Sequence, residues 1–252
     1  MLDFCDVFWA SSRFNEVFLG ALSADELDRR RSFRFSQDAD VFSASRILLR
    51  LVLADRIGQT PADLKFTRDC LFCPRPHGKP RLNLPNAQVH FNVSHSAGVV
   101  VVAVASVEVG VDIEAIPTHP LDAFEGMAVH PMELSHFDQT EMVDQPQEQM
   151  RLWTRKEATL KAAGVGLVVS PRDISVGASG SAPERVQWDG LHKPALPIWV
   201  SDIDFLRNYA CSIATMSESP HSVRLVDAQG LLTLSRLART GGNPDPREEV
   251  VG

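Results

Sequence analysis

The octapeptide VGVDIEAI (109–116) sets Asp112 and Glu114 two residues apart, in a run whose neighbours Val109, Val111 and Ile113 are apolar and β-branched. As a strand it turns both carboxylates to one face, where they repel each other. A hard divalent cation removes that repulsion, and Mg²⁺ is held by a few carboxylates together with water and substrate phosphates. A second charged set lies in EQMRLWTRKEATLKAAG (148–164), where Trp153, Glu157 and Lys161 recur every fourth residue and share one helical face. Most such Glu–Lys pairs are exposed and contribute about 0.3–0.5 kcal/mol. Beside two further acids, the pair has what a metal–phosphate site needs: Glu157 to bind metal or accept a proton, and Lys161 to neutralise charge on phosphate.

Two more segments carry polar groups suited to an anion. In FNVSHS (91–96), Phe91, Val93 and His95 alternate with Asn92, Ser94 and Ser96, so hydroxyls and an imidazole end a strand. Serine-hydrolase chemistry at Ser94–His95 fails on geometry, because neighbours in a strand point to opposite faces, and no G-x-S-x-G elbow is present. HGKPR (77–81) is a glycine–proline loop with Lys79 and Arg81, but neither a G-x-x-x-x-G-K-[ST] nor a G-x-G-x-x-G phosphate loop occurs. Arginines 29–31, Arg34, Arg46 and Arg50 add positive charge upstream. Cys70-Leu-Phe-Cys73 with His77 has the spacing of half a zinc knuckle, without a second ligand pair at matching spacing; His90, His95 or Cys211 would complete it only through the fold.

The elements that must position these groups follow from periodicity. SQDADVFSASRILLRLVLADRIG (36–58) is a helix with one apolar face and Gly58 as its stop, preceded by a short arginine-rich helix that Ser23 and Glu26 cap. Residues 59–88 read as loop. QVHFNVSHS (88–96) and GVVVVAVASV (98–107) form a hairpin turning at Ala97–Gly98, with the VGVDIEAI strand next. A helix is expected within 120–138, a polar connection over 138–149, and a strong helix over 148–164 ended by Gly164. DISVGA, RVQW, PIWVSDI and YACSIAT are short strand candidates, and the last dozen residues read as a frayed tail. Long helices beside hairpin-linked strands argue an α+β fold rather than βαβ repeats.

The bulk numbers narrow the partners. With 252 residues, 44% hydrophobic and 23% charged, the chain has room for a large core. A net charge of −7 supplies no global attraction for nucleic acid or an anionic membrane, so an anionic ligand must meet a local basic cluster. The longest apolar stretch (97–111) is shorter than the roughly 20 residues of a spanning helix and contains Glu108. The N-terminus lacks a basic secretory n-region, and four irregularly spaced cysteines do not form a disulfide framework, so a cytoplasmic location is expected.

Taken in order, GKP (78–80), FNVSHS (91–96), GVDIE (110–114) and WTRKEATLKAAGVGL (153–167) resemble the Sfp-type 4′-phosphopantetheinyl transferases over roughly residues 15–215. The resemblance implies two pseudo-symmetric α+β halves, each a long helix on a small antiparallel sheet, with the active site in the cleft between them. Residues 1–107 would form the N-terminal half, 108–219 the C-terminal half, and 220–252 a partly disordered extension. It further implies Mg²⁺-dependent transfer of the phosphopantetheine arm of coenzyme A to a serine of an acyl or peptidyl carrier protein, with release of adenosine 3′,5′-bisphosphate, by a monomer. By the same resemblance Asp112, Glu114 and Glu157 are metal ligands, and Glu157 is also, or instead, the general base. Lys161 contacts the reacting phosphates, Ser94 and His95 bind coenzyme A phosphate, Lys79 lies beside the nucleotide, and Arg29 meets the 3′-phosphate. Glu133 aligns with a further acid near the metal. A non-catalytic coenzyme A-binding module and a Mg²⁺-dependent nucleotide pyrophosphohydrolase are the rival readings of the same residues.

Overall fold

A computed structural model describes residues 4–84, 88–177, 180 and 182–233. In the first half, β1 (Cys5–Ser11), α1 (Ala24–Arg31) and α2 (Ser36–Ile57) precede the hairpin of β2 (His90–Ser96) and β3 (Val99–Ala105). In the second, β4 (Glu108–Ala115) leads through two short helices, Phe124–Ala128 and Leu134–Gln139, to α3 (Gln145–Ala163). There follow β5 (Glu184–Arg185), β6 (Ile198–Asp202) and β7 (Tyr209–Met216), and β8 (Arg224–Asp227) comes last.

Local rules account for much of this. Ser23 Oγ accepts from the Glu26 amide while the Glu26 carboxylate accepts from the Ser23 amide, the expected capping box of α1. α2 and α3 stop at Gly58 and Gly164. Ala97 and Gly98, both at positive φ, make the two-residue turn between β2 and β3.

The strands assemble into two four-stranded sheets, β8-β1-β3-β2 and β4-β7-β6-β5. Every ladder in them is antiparallel except β1–β8. With the helices, this makes the α+β architecture expected. β3 explains its own unbroken apolar run. Val100, Val102 and Val104 join Ile47, Leu48 and Val52 in the core under α2, whereas Val101 and Ala103 join Val109, Val111, Ile113 and Ile213 in a second core shared with β4 and β7. A strand buried on both faces has no polar positions to alternate with. A third core packs α3, through Ala158, Leu160 and Ala162, against Val200, Ala210 and Ala214.

The structure departs from the expected elements at several places: within the expected 59–88 loop Phe66–Thr67 pairs with Arg81–Leu82, the helix expected within 120–138 is two short ones, and α3 begins at Gln145, inside the expected 138–149 connection. β1 was not anticipated. RVQW divides: Glu184–Arg185 pairs with β6, whereas Gln187–Trp188 pairs with Ile174–Ser175. Within the expected extension, residues 224–227 add β8 to the first sheet, parallel to β1, and Gln229–Leu232 forms a helical turn; residues 234–252, which include the expected frayed tail, lie outside the described residues. Among the described residues no helix is long and apolar enough to cross a membrane.

Gly110 shows how closely the site elements meet. A methyl group there would lie 2.0 Å from the Ala158 carbonyl oxygen and 2.5 Å from the Ala162 amide nitrogen. Only a hydrogen fits where β4 passes under α3. Gly110→Ala is therefore expected to push α3 off β4 and cost about 1–3 kcal/mol or more, read as a lower thermal midpoint together with loss of activity.

Candidate active site

The edge strands of the two sheets, β2 and β4, run side by side without a backbone ladder between them. Side chains replace it. Asn92 Oδ1 accepts from the Val111 amide at 3.1 Å, Ser94 Oγ from the Ile113 amide at 3.4 Å, and Ser96 Oγ from the Ala115 amide at 3.1 Å. The constant offset of 19 residues makes the strands parallel. The alternating Asn-x-Ser-x-Ser of FNVSHS is thus the seam joining the sheets, satisfying amides that would otherwise be orphaned.

The seam continues into the acids. Ser94 Oγ donates to Asp112 Oδ1 at 2.7 Å and Ser96 Oγ to Glu114 Oε2 at 2.9 Å. From α3, Lys161 Nζ reaches Asp112 Oδ1 at 2.5 Å, Ser94 Oγ at 3.3 Å and the Val111 carbonyl at 3.4 Å. Asp112 is 3% exposed, and its second oxygen, Oδ2, is buried with no hydrogen-bond partner among the described residues. Burial, and then the Asp112 carboxylate, push Glu114 above the ordinary glutamate range, against the Ser96 hydrogen bond and Lys161. Burial raises Glu157 likewise; Lys161 opposes the rise, and Asp112 and Glu114 add to it. Residues 112, 114, 157 and 161, from two elements far apart in the chain, therefore share one electrostatic neighbourhood.

The other expected residues lie as follows. His95 extends from the opposite face of β2 to Ser94, and desolvation with the nearby Lys161 and Arg46 charges pushes its imidazole below the usual range. Arg46, on α2, is itself lowered by desolvation and by the Arg68 and Arg50 charges, against the Glu26 carboxylate. Arg29 sits at the exposed end of α1 with its guanidinium 5.0 Å from the Phe33 ring. Lys79 is not a free cation. Its ammonium is buried and donates to Glu108 Oε2 and the Val109 carbonyl at 2.8 Å, and to the Ala162 carbonyl at 3.3 Å near the end of α3. It fastens the GKP loop to β4 and neutralises the negative helix terminus. Glu133 is likewise engaged: its oxygens accept from Lys156 Nζ at 2.8 Å and from the His130 and Val176 amides at 2.9 and 2.8 Å.

Glu108 holds a cluster of its own, bonded to Lys79, Arg81 and His90. Burial favours its protonated form, but the His90 hydrogen bond, the Lys79 ammonium and Arg81 outweigh it and hold the carboxyl below the usual range. A carboxylate depressed in the folded state contributes stability that is complete above its unfolded value near 4.5 and is lost as pH falls through the folded one. Glu108→Gln is thus expected to be less stable than the parent at pH 7 and to lose less further stability below pH 4.5. Urea melts across pH 3–7 check this.

Sequence reasoning missed the two most deeply buried cations among the described residues. In WTRKEATLK, Arg155 and Lys156 are 1% and 0% exposed. Arg155 donates to the Val176 carbonyl at 2.7 and 3.1 Å and pairs with Asp202 at 3.2 Å; Lys156 donates to the Pro171 and Ile174 carbonyls at 2.9 and 2.6 Å as well as to Glu133. One signal was available: Leu152, Lys156 and Leu160 form a single four-residue stripe, so the lysine stands in an apolar row. The signature thus divides by face, with 155 and 156 anchoring α3 to the 171–176 segment and 157 and 161 presented to β4.

Two family profiles match this chain. Residues 108–214 match the family profile of the 4′-phosphopantetheinyl transferase superfamily, and residues 9–107 match that of the 4′-phosphopantetheinyl transferase N-terminal region. The chain is 31% identical over 173 residues to the 4′-phosphopantetheinyl transferase HetI of Nostoc sp., covering 66% of this chain and 69% of that one. It is 25% identical over 224 residues to the 4′-phosphopantetheinyl transferase Sfp of Bacillus subtilis, covering 88% and 95%, and 29% identical over 177 residues to another 4′-phosphopantetheinyl transferase of Bacillus subtilis, covering 70% and 75%.

Proposed function

This chain belongs to the Sfp-type 4′-phosphopantetheinyl transferases, and from that premise we propose that it transfers the phosphopantetheine arm of coenzyme A to a carrier-protein serine in a Mg²⁺-dependent reaction that releases adenosine 3′,5′-bisphosphate. The observation that carries the metal reading is the buried, unpartnered Oδ2 of Asp112. An orphaned carboxylate oxygen is costly, and a cation bound there would satisfy it. Asp112, Glu114 and Glu157 supply the hard oxygen donors that suit Mg²⁺. Bound by them, the ion would withdraw charge from the pyrophosphate oxygens.

The remaining steps fall to the chain's own groups. Lys161, already hydrogen-bonded across the seam, is placed to turn from Asp112 towards a phosphate oxygen and to stabilise the leaving bisphosphate. Glu157, one turn before it on the same helix face, accepts the proton of the serine hydroxyl as that oxygen attacks the β-phosphorus. Arg46 supplies local positive charge that an overall acidic protein needs to hold the nucleotide phosphates, and His95, pushed towards its neutral form, offers a ring N–H donor beside it. Coenzyme A would lie in a cleft between two pseudo-symmetric halves, and the enzyme would act as a monomer.

The test is a mass measurement on an apo-carrier domain incubated with the protein, coenzyme A and Mg²⁺. A gain of roughly 340 Da, the size of one phosphopantetheine arm joined by phosphoryl transfer, is expected, and it should vanish when Mg²⁺ is chelated. Turnover of coenzyme A with no gain on any of several carriers would overturn the reading, as would tight binding with no turnover.

A further inference from the structure

We propose that Cys70, Cys73 and His77 bind one zinc ion, at a site separate from the carboxylate cluster, and that this ion holds the loop leading into Gly78-Lys79-Pro80. The ligand atoms of these three residues all lie within 4.8 Å of one another, with Cys73 Sγ 2.9 Å from His77 Nε2. Two thiolates and an imidazole are a soft donor set that selects Zn²⁺ over Mg²⁺. Tetrahedral bond lengths require ligand atoms roughly 3.5–3.8 Å apart, and the separations here, from 2.9 Å up to no more than 4.8 Å, bracket that spacing. Solvent takes the fourth position, since His77 is exposed.

The loop is built for an ion rather than for an apolar core. It runs from the Phe66–Thr67 strand to its partner Arg81–Leu82 and holds no helix or strand between them. Its large apolar residues face outward, Leu71 being 65% and Phe72 40% exposed, while the thiols and imidazole converge. A loop folded around hydrophobic contacts would show the reverse arrangement. The backbone supports the convergence: the Phe72 amide donates to Cys70 Sγ at 3.4 Å and the Gly78 amide to the Arg68 carbonyl at 2.8 Å. At Gly78 the chain crosses itself so closely that a methyl group would lie 2.0 Å from the Asp69 carbonyl oxygen. Cys70 and Cys73 are free thiols, and Cys5 and Cys211 are buried elsewhere, in the core between the sheets. The residues that would otherwise complete a zinc site are committed: His90 pairs with Glu108 at 3.3 Å, and Cys211 lies in that core.

With Lys79 fastened to Glu108, Val109 and Ala162, the ion would fix the other end of the same loop. The proposal does not depend on the transferase chemistry, and its test does not read activity. The full chain, carrying no histidine tag, is purified under reductant from zinc-supplemented cells, dialysed against metal-free buffer and analysed for metal by mass spectrometry. About one zinc per chain is expected, falling below about one-tenth in Cys70→Ser/Cys73→Ser and retained in Asp112→Asn. Cobalt substitution should give the thiolate charge-transfer and visible d–d absorption of a tetrahedral sulfur-ligated ion in the parent and not in the double variant. Protein purified without zinc, zinc retained by the double variant, or zinc lost on Asp112→Asn would each overturn the proposal. So would a Cys70–Cys73 disulfide under reductant.

Discussion

Glu157→Gln is expected to lower phosphopantetheine transfer by about 10²–10⁴-fold, the usual contribution of a positioned general base, without loss of folding stability. The stability half follows from the sign of its shift. Burial, Asp112 and Glu114 raise the carboxyl above the ordinary glutamate range, so at neutral pH the folded state carries a charge it disfavours. A neutral amide of the same shape removes that cost, and the metal-free variant should melt no lower than the parent. Retained transfer in a folded Glu157→Gln protein would end the assignment of Glu157. Lys161→Ala is the less discriminating probe. It leaves the buried Asp112 carboxylate without its 2.5 Å partner, and breaking a buried pair on one side costs about 3–5 kcal/mol. Its loss of activity must be read beside its melting curve.

A large effect on stability is expected from Lys156→Met. The methionine matches the stem of the lysine but strands three acceptors: the Glu133 carboxylate and the Pro171 and Ile174 carbonyls. Loss of about 3–5 kcal/mol corresponds to a fall in thermal midpoint of roughly 6–20 °C for a chain of this size. Adding Glu133→Gln should restore part of it, because the remaining buried charge disappears while the amide oxygen still accepts from a backbone N–H. If Lys156→Met melts with the parent, the pair is not holding α3 to the 171–176 segment. An equal effect of both changes in one protein and of either alone would show that the two residues act as one unit.

Legibility in the sequence followed the range of the interaction. The capping box at Ser23–Glu26, the stops at Gly58 and Gly164, the Ala97–Gly98 turn and the apolar strand β3 each depend on residues within one turn or one strand, and each was read correctly. β1 and β8 were missed because each takes its place from partners far along the chain, β1 from β3 and β8 from β1. The polar alternation of Asn92, Ser94 and Ser96 was legible as a pattern but not as a seam, since the amides it satisfies are 19 residues further on and in the other sheet.

By itself, the sequence determined the local elements, the chemistry available and the family. Motif order is linear information, and Asp112, Glu114, Glu157 and Lys161 were identifiable from it. Only the tertiary structure decided what each charge does. Lys79, expected beside the nucleotide, and Arg155 and Lys156, which drew no reading, are buried anchors, while Lys161 is held across the seam against Asp112. The reason is desolvation. A lysine on one helix is indifferent to burial until a partner from another element comes within hydrogen-bond reach, and that partner is chosen by packing, not by spacing along the chain. Asp112 shows the same limit most sharply. The sequence placed two acids on one face of a strand, and the fold left one oxygen of Asp112 buried without a partner.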